Sequence, residues 1–299
     1  METNFWKNLR ALLVAAALFG LFCPSFVEAQ DIELYGPNGD FPDASLVMPF
    51  AATGDRTAFF AISNLAPDGT IVPLEVRWDF YGEGGDLLVS VARFTLGDGG
   101  TDIVDISNIR SRDIDGVEGS ETFDLSGTNG MVVVSKNDQP DLIGNWTQAN
   151  LQSNSGFGAN AAGLGAIGLL EPRDLFGTSF GPSSLEDNLL MVLGVNDLNV
   201  RPTSLTDGSP AAPGETVFSF EIGLYDNEVG QVAVAEVPVS GTAYFSTLQE
   251  LFPGYDLNKS VTINIRPITE GVSLIGFYGQ TVGPFGAGQS LRTDLYALE

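Results

Sequence analysis

Strict two-residue alternation in two stretches constrains the fold of this chain more than any other feature. The first stretch begins at Leu74 and reads LEVRWDFYGEGGDLLVSV, and the second begins at Phe218 and reads FSFEIGLYDNEVGQVAVAEV. Such alternation places one set of side chains on a buried sheet face and the other set toward water. Each stretch contains a polar turn with glycine, after which a second apolar run returns. The sequence therefore predicts two β-hairpins.

The alternation also assigns individual side chains of the first hairpin. Trp78 and Phe80 fall on the apolar side of their strand, and we expect Trp78 to lie in the core. Glu75, Arg77, Asp79 and Tyr81 fall on the opposite side, and we expect these four side chains to face water.

The surroundings of the two hairpins match each other. Short strands bounded by Gly, Asp, Asn or Pro recur at intervals of about ten residues. Both regions have a strand, the hairpin, a short strand and a closing pair, in that order. We therefore predict an all-β protein of two tandem immunoglobulin-like (Ig-like) antiparallel β-sandwich modules, over residues 44–136 and 188–299. Duplication of one module explains this match. The alternative is that two unrelated sandwiches share alternation and turns.

A Gly/Asn/Ala-rich segment, residues 137–187, separates the two predicted modules. It shows neither helical nor strand periodicity over much of its length. Its apolar part is too short and too interrupted to cross a membrane. We expect it to connect the modules, either as a linker or as an excursion that packs across their junction.

Residues 1–29 have the features of a signal peptide. Lys7 and Arg10 provide a positively charged n-region, and residues 11–22 form an apolar h-region. Small residues precede the expected cleavage site after Ala29, which leaves residues 30–43 as an N-terminal arm. We therefore expect an exported protein that is secreted or held at the cell surface, with the periplasm as a further option.

Two other fates of this segment are less favoured. Cys23 would be the lipidated residue of a lipoprotein signal, but Phe22 stands where such a site needs a small residue. An uncleaved anchor needs an apolar run of about 20 residues, and the h-region is shorter than that. We expect no transmembrane span after removal of the signal peptide.

The charge and the residue types of the chain argue against several functions. A net charge of −25 disfavours binding to nucleic acid and to anionic membrane surfaces. The chain has no histidine, so the commonest general base and the commonest transition-metal ligand are missing. Its one cysteine, Cys23, lies in the predicted signal peptide, so the mature chain has no thiol chemistry.

Two catalytic motifs occur, and neither has the context that its chemistry requires. GTSFG at residues 177–181 matches the nucleophile elbow around Ser179, yet no histidine can accept the serine proton. GLGAIG at residues 163–168 matches the dinucleotide-binding fingerprint, yet Pro172 would stop the helix that this fingerprint needs. We therefore predict that the protein is not an enzyme.

Calcium is the ligand that best fits the available residues, because carboxylate and carbonyl oxygens bind it. Two acidic loops are candidate sites. The favoured loop brings four carboxylates around a glycine: Asp113, Asp115, Glu118 and Glu121. The other partly resembles a single calcium-binding nonapeptide repeat, with three candidate ligands: Asp98, Asp102 and Asp105. Asp and Gly are also common turn formers, so two ordinary surface turns are the alternative.

These features together predict an exported, non-enzymatic β-sandwich protein with a structural or adhesive role. Its expected partners are a protein or a glycan at the cell surface, with self-association through edge strands as another mode. A calcium-dependent glycan-binding module is the alternative, with Trp146 free to stack on a sugar ring. A polysaccharide hydrolase that uses two carboxylates is a third hypothesis.

Overall fold

The computed structural model describes residues 46–65, 74–95, 101–136, 141–163, 174–179, 188–195, 217–226, 228–255, 259–282 and 285–291. The predicted signal peptide and N-terminal arm lie outside these ranges. The strands follow in chain order as β1 (Leu46–Ala51), β2 (Arg56–Leu65), β3 (Glu75–Gly82), β4 (Leu87–Phe94), β5 (Thr101–Asp105), β6 (Asn129–Lys136), β7 (Asp141–Asn150), β8 (Ser155–Asn160), β9 (Ala162–Gly163), β10 (Leu175–Ser179), β11 (Asn188–Val195), β12 (Val217–Asp226), β13 (Gly230–Ser240), β14 (Ala243–Ser246), β15 (Val261–Pro267), β16 (Ser273–Val282) and β17 (Phe285–Ser290).

These strands form four sheets, in which neighbouring strands pair antiparallel. Sheet I has the order β5-β2-β7-β8, and sheet II has the order β4-β3-β6-β1-β9. Sheet III has the order β14-β11-β16-β17, and sheet IV has the order β10-β15-β12-β13. The prediction of an all-β fold is therefore confirmed.

Sheets I and IV each have one buried face and one wetter face. In β5 of sheet I, Asp102 and Val104 are buried while Thr101 and Ile103 are exposed. In β15 of sheet IV, Val261, Ile263 and Ile265 are buried, whereas Thr262 and Asn264 are half-buried and Arg266 is exposed. Such alternation is typical of an antiparallel sheet that lies on a core with one face only. We call sheets I and IV the outer sheets.

The central strands of sheets II and III are buried on both faces. Every residue of β1 is buried, and so is every residue of β11 whose side chain is described. The sequences of these strands, LVMPFA and LLMVLG, are nearly uninterrupted apolar runs. Such a run is typical of a strand without a solvent-exposed face, because successive side chains point to opposite faces and both sets are buried. We call sheets II and III the inner sheets.

The first hydrophobic core joins sheets I and II. Phe60 of β2 lies edge-on to Phe50 of β1 and Phe80 of β3, with ring centroids 6.4 and 6.0 Å apart. Trp78 stacks on Phe80 at 6.2 Å and is fully buried, so its predicted place in the core is confirmed.

Sheet III belongs to both cores of the molecule. Leu189, Met191 and Leu193 of β11 belong to the first core, together with sheets I and II. Leu190 and Val192 of the same strand belong to the second core, together with sheet IV. Since successive side chains of a strand point to opposite faces, sheet III lies between the first core and sheet IV. The two halves of the chain therefore pack directly against each other.

The backbones of the two halves lie very close to each other at two places. The N–H of Thr242, just before β14, donates to the carbonyl oxygen of Glu83 in the β3–β4 turn at 2.7 Å. A Cβ atom at Gly286 of β17 would overlap the carbonyl oxygen of Gly156 in β8. Only glycine therefore allows β8 and β17 to approach this closely.

The alternation misassigns three side chains of the first hairpin. Arg77, Asp79 and Tyr81 were expected to face water, but their exposed fractions are only 8, 4 and 1 %. The Arg77 Nε atom donates to Asp79 Oδ1 at 2.9 Å, which pairs the two buried charges. The expectation is wrong because it gave β3 one wet face, whereas β3 belongs to an inner sheet.

Residues 137–187, expected to connect two modules, contribute four strands in their described parts. β7 and β8 complete sheet I, β9 joins sheet II, and β10 begins the second set of strands in sheet IV. Glycine hides the alternation of these strands: a Cβ at Gly144 would crowd Leu46, and one at Gly158 would crowd the Trp146 carbonyl. The module boundaries at 44–136 and 188–299 stay a prediction.

One helical turn, α1 (Leu248–Leu251), follows β14. Its capping box joins Thr247 and Glu250: the Glu250 N–H donates to Thr247 Oγ1, and the Thr247 N–H donates to the Glu250 carboxylate. That second hydrogen bond lowers the pKa of Glu250 below its usual value. No helix in the described ranges has the length and apolar composition that a membrane crossing requires.

Candidate functional site

The seven carboxylates predicted as calcium ligands lie in different surroundings. Asp98 lies outside the described residues, and Asp102 is completely buried. Asp105 is half-buried at the end of β5. The remaining four lie in the loop that follows β5: Asp113, Asp115, Glu118 and Glu121. Within the described ranges, no group of three or more Asp, Glu, His or Cys side chains is arranged to hold a metal ion.

Asp102 of β5 is held by two arginines. Arg93 of β4 donates from Nε to Oδ2 and from Nη2 to Oδ1, both at 2.8 Å. Arg112 adds a third hydrogen bond, from Nη1 to Oδ1 at 2.7 Å. The exposed fractions of Asp102 and Arg93 are 0 and 2 %, so these charges have lost their water and depend on each other. Because arginine engages both carboxylate oxygens, a calcium ion would have to displace these bonds.

The same cluster holds the loop between β5 and β6, which we call the edge loop (residues 107–120). Arg112 Nη2 lies 3.3 Å from Glu118 Oε1, and Arg93 also donates to the carbonyl oxygen of Arg110. The Glu118 side chain is 41 % exposed, so this outer pair is much wetter than the one at Asp102. The arginines therefore connect the buried aspartate to the loop.

Backbone hydrogen bonds then attach the edge loop to β4. The N–H of Phe94 donates to the Arg112 carbonyl oxygen at 3.0 Å, and the N–H of Arg112 donates to the Ala92 carbonyl oxygen at 3.1 Å. β4 is the end strand of sheet II. The edge loop therefore pairs with backbone groups that an end strand would otherwise present to water.

Two of the predicted ligands form turns. Asp105 Oδ1 accepts hydrogen bonds from the N–H and the hydroxyl of Ser107 at 2.9 and 2.8 Å. Asp113 Oδ1 accepts from the N–H groups of Asp115 and Val117 at 3.1 and 2.8 Å. These contacts are those of turn-forming aspartates, the alternative raised by the sequence. Calcium binding at residues 113–121 stays a prediction.

Ser179, the serine of the GTSFG motif, is fully buried in the second half of the chain. The Tyr278 hydroxyl lies 3.3 Å from Ser179 Oγ and 3.0 Å from Gln280 Oε1. Burial raises the pKa of Tyr278 to about 12. Ser179 therefore takes part in a buried hydrogen-bond network and does not have the exposed position of a nucleophile elbow.

Trp146, expected to be free for stacking on a sugar, is 1 % exposed, so this expectation is wrong. Its ring lies edge-on to Phe157 and to Phe277, with centroid distances of 5.9 and 5.6 Å. Phe277 belongs to sheet III and Trp146 to sheet I. The tryptophan therefore packs between the two halves of the chain.

A small cavity lies beside this contact. Its lining includes Gln148, Ser155, Phe157 and Thr281, and its volume is about 10 Å³. That volume suits about one water molecule and is far too small for a sugar ring.

Sequence reasoning missed Arg93 and Arg112, the residues that decide the surroundings of Asp102. A signal for Arg93 was present, because it follows Val89 and Val91 on the buried side of β4. A charge at such a position must find a buried partner. The partner, Asp102, belongs to a different sheet, and nothing local in the sequence indicates the pairing.

The sequence matches no protein-family model, and it shows no significant similarity to a curated protein.

Proposed function

We propose that this chain is an exported, non-enzymatic structural or adhesive protein, built from two tandem β-sandwich modules and acting at the cell surface or outside the cell. The observation that carries the proposal is the pair of inner sheets, whose strands β1 and β11 are buried on both faces. Second-half residues such as Met191 and Phe277 belong to the first core, which joins the halves into one packed unit. Two of the described groups that could suggest chemistry, Asp102 and Ser179, are fully buried and hydrogen-bonded.

Strand order supports the tandem arrangement. If nine is added to each strand number of sheet I, its order β5-β2-β7-β8 becomes β14-β11-β16-β17, which is the order of sheet III. The same step converts the order of sheet II into that of sheet IV, apart from β9. The β3–β4 and β12–β13 hairpins also share one register, with an irregularity immediately before Tyr81 and before Tyr225. We therefore place the two modules at β1–β9 and β10–β17.

Matching contacts support duplication of one module. A Cβ at Gly144 of β7 would crowd Leu46, the first residue of β1, and a Cβ at Gly276 of β16 would crowd Leu175, the first residue of β10. The carbonyl oxygens of the same two glycines accept backbone hydrogen bonds at 2.8 and 2.7 Å, from the residues after β8 and β17. Two unrelated sandwiches would not be expected to repeat such details.

The Ig-like description applies to the architecture of two packed antiparallel sheets. In an immunoglobulin constant domain the first strand lies beside the second in one sheet. Here β1 pairs with β6, and its counterpart β10 pairs with β15. The modules that we propose therefore differ from immunoglobulin domains in the placement of their first strands.

Location and enzymatic activity are tested separately. Antibody labelling of intact cells, together with fractionation of the producing organism, should place the protein outside the cytoplasm and at the surface or in the medium. A cytoplasmic pool would contradict export. The purified protein should also be inactive on a broad polysaccharide panel, and activity lost on neutralising two carboxylates would favour the hydrolase hypothesis instead.

Calcium separates the proposal from the glycan-binding alternative. Calorimetric titration of the purified protein with calcium should give no heat of binding, and a chelator should leave the melting temperature unchanged. A stoichiometric heat that Glu121→Gln removes, with Glu228→Gln on the β12–β13 turn as the control, would favour the calcium-dependent module.

A further inference from the structure

The end strands β4 and β13 occupy the same place in sheets II and IV. The common register of the two hairpins matches Ala92 and Phe94 of β4 with Glu236 and Pro238 of β13. The backbone groups of Ala92 and Phe94 that point outward are bonded to the edge loop. The groups of Glu236 and Pro238 therefore point outward as well, since matching residues of equivalent strands have the same orientation.

No described backbone group outside sheet IV is hydrogen-bonded to β13. The segment between β14 and β15 corresponds to the edge loop, but it forms α1, whose first N–H is bonded to Asn188 of β11. Pro238 has no N–H, so the bond that Phe94 donates to the edge loop has no counterpart here. Within the described residues, the outer backbone groups of β13 have no hydrogen-bond partner outside sheet IV, whereas those of β4 are bonded to the edge loop. We call the edge of β13 open for this reason.

The chemistry of β13 suits pairing with another strand. Its eleven residues, GQVAVAEVPVS, contain a single charge at Glu236, in a chain of net charge −25. Val234 is 51 % exposed at the middle of the strand, and Val229 at the hairpin tip is 72 % exposed. A weakly charged end strand with exposed β-branched residues is a template for strand addition, and here Pro238 and the irregularity at Val232 confine the pairing to the middle of the strand.

We propose that β13 pairs antiparallel with β13 of a second copy of this chain, about a two-fold axis at Val234. In that register Val232 lies opposite Glu236 of the other copy, so no like charges face each other. The regular part of the ladder is centred on Val234 and its mate. It is bounded by the irregularity at Val232, which β12 leaves unpaired, and by Pro238, which cannot donate. Sheet IV then continues from one copy into the other. This inference goes beyond the proposed function, because it holds for a protein of any cellular location.

Sedimentation velocity over a range of concentrations tests the pairing on the full chain. The unmodified protein should dimerise, and Val234→Lys should raise the dimer dissociation constant at least about tenfold, because two ammonium groups then face each other. Ile103→Lys is the matched control: Ile103 is 52 % exposed on the end strand β5, and its replacement should leave dimerisation unchanged. A strict monomer, or a dimer that survives Val234→Lys, would overturn the proposal.

Cross-linking tests the register itself. The Cα atoms of Val234 and its symmetry mate would lie about 5.5 Å apart in such a ladder, a distance that a disulfide spans. Under mild oxidation Val234→Cys should therefore give a covalent dimer, whereas Ile103→Cys and the unmodified chain should not. Equal cross-linking of all three proteins would contradict the two-fold pairing at Val234.

Discussion

The two halves of the chain share one strand order and differ in how one edge of that order is finished. In the first half, the edge loop pairs with β4 through Arg112 and is held by the buried carboxylate of Asp102. In the second half, β13 occupies the equivalent place and ends sheet IV without such a cover among the described residues. The comparison indicates that strands set the architecture, while a loop decides whether an edge is available to a partner.

Substitution of Asp102 should reveal the largest difference in stability between the two halves. Asp102→Asn keeps the shape of the side chain but leaves Arg93 and Arg112 without their buried counter-charge. We expect a loss of about 3–5 kcal/mol in the free energy of unfolding, measured by denaturant titration, because an uncompensated buried charge is costly. The backbone amides at the outer edge of β4 should also exchange with solvent more rapidly, which would make the first half resemble the second.

The control for this substitution comes from the second half. Glu221 pairs with Arg266 at 2.9 Å, but the arginine side chain is 56 % exposed. Glu221→Gln should therefore change the free energy of unfolding by about 1 kcal/mol or less. Equal effects of Asp102→Asn and Glu221→Gln would show that burial of the first-half cluster contributes little.

Tyr278 of the second half should make the stability of the protein depend on pH in the alkaline range. Burial raises its pKa from 10.0 to about 12, so the folded state favours the neutral phenol. The associated stability is fully present below pH 10 and is lost as the pH rises through about 12, on the order of 2–3 kcal/mol. Burial and the Asp79 carboxylate also raise the pKa of Tyr81, so both halves contribute to the loss.

Denaturant titration of Tyr278→Phe should show a shallower decline of stability between pH 10 and 12 than the unmodified protein. The same variant at pH 7 measures the cost of losing the hydroxyl contacts with Ser179 and Gln280, which keeps the two effects apart. An unchanged decline would mean that Tyr278 is accessible to water.

Gly286 tests the contact between the halves. Gly286→Ala places a methyl group against the Gly156 carbonyl oxygen, so β8 and β17 must move apart. We expect a loss of about 1–3 kcal/mol in the free energy of unfolding, as for other overpacked sites. Gly254→Ala is the matched control, because a Cβ there has no neighbour within 4 Å. A stable Gly286→Ala variant would indicate that the halves are not held together at this point.

Glu118 should have the smallest effect. Its carboxylate lies 3.3 Å from Arg112, but its side chain is 41 % exposed. Glu118→Gln should change the free energy of unfolding by less than about 1 kcal/mol, because water already screens the pair. A loss as large as that of Asp102→Asn would show that the outer ion pair, rather than the buried carboxylate, holds the edge loop.

Alternation predicted the hairpins and the all-β class because a strand with one solvent-exposed face has polar residues at every second position. Nothing in the alternation of β3 indicated that Arg77, Asp79 and Tyr81 are buried. The runs LVMPFA and LLMVLG did contain that information, since a strand without polar positions has no face for water. The strands β7 and β8 escaped prediction because Gly144, Gly156 and Gly158 interrupt their alternation at places where a Cβ atom would clash with a neighbour.

The surroundings of the candidate residues were harder to predict than the strands. Asp102 and Asp105 belong to the same short acidic stretch, yet one is clamped by arginines and the other forms a turn. The difference comes from Arg93 and Arg112, which reach Asp102 only after sheets I and II have packed. Sequence spacing alone does not encode that proximity.

Backbone amide hydrogen exchange at several protein concentrations tests the difference between the two edges most directly. The Phe94 amide, bonded to the edge loop, should exchange slowly at every concentration. The amide of Val234, at the centre of the proposed pairing, should exchange rapidly in dilute protein and slow down as the concentration rises. Exchange at β13 that matches β4 and does not depend on concentration would contradict an open edge that recruits a second copy.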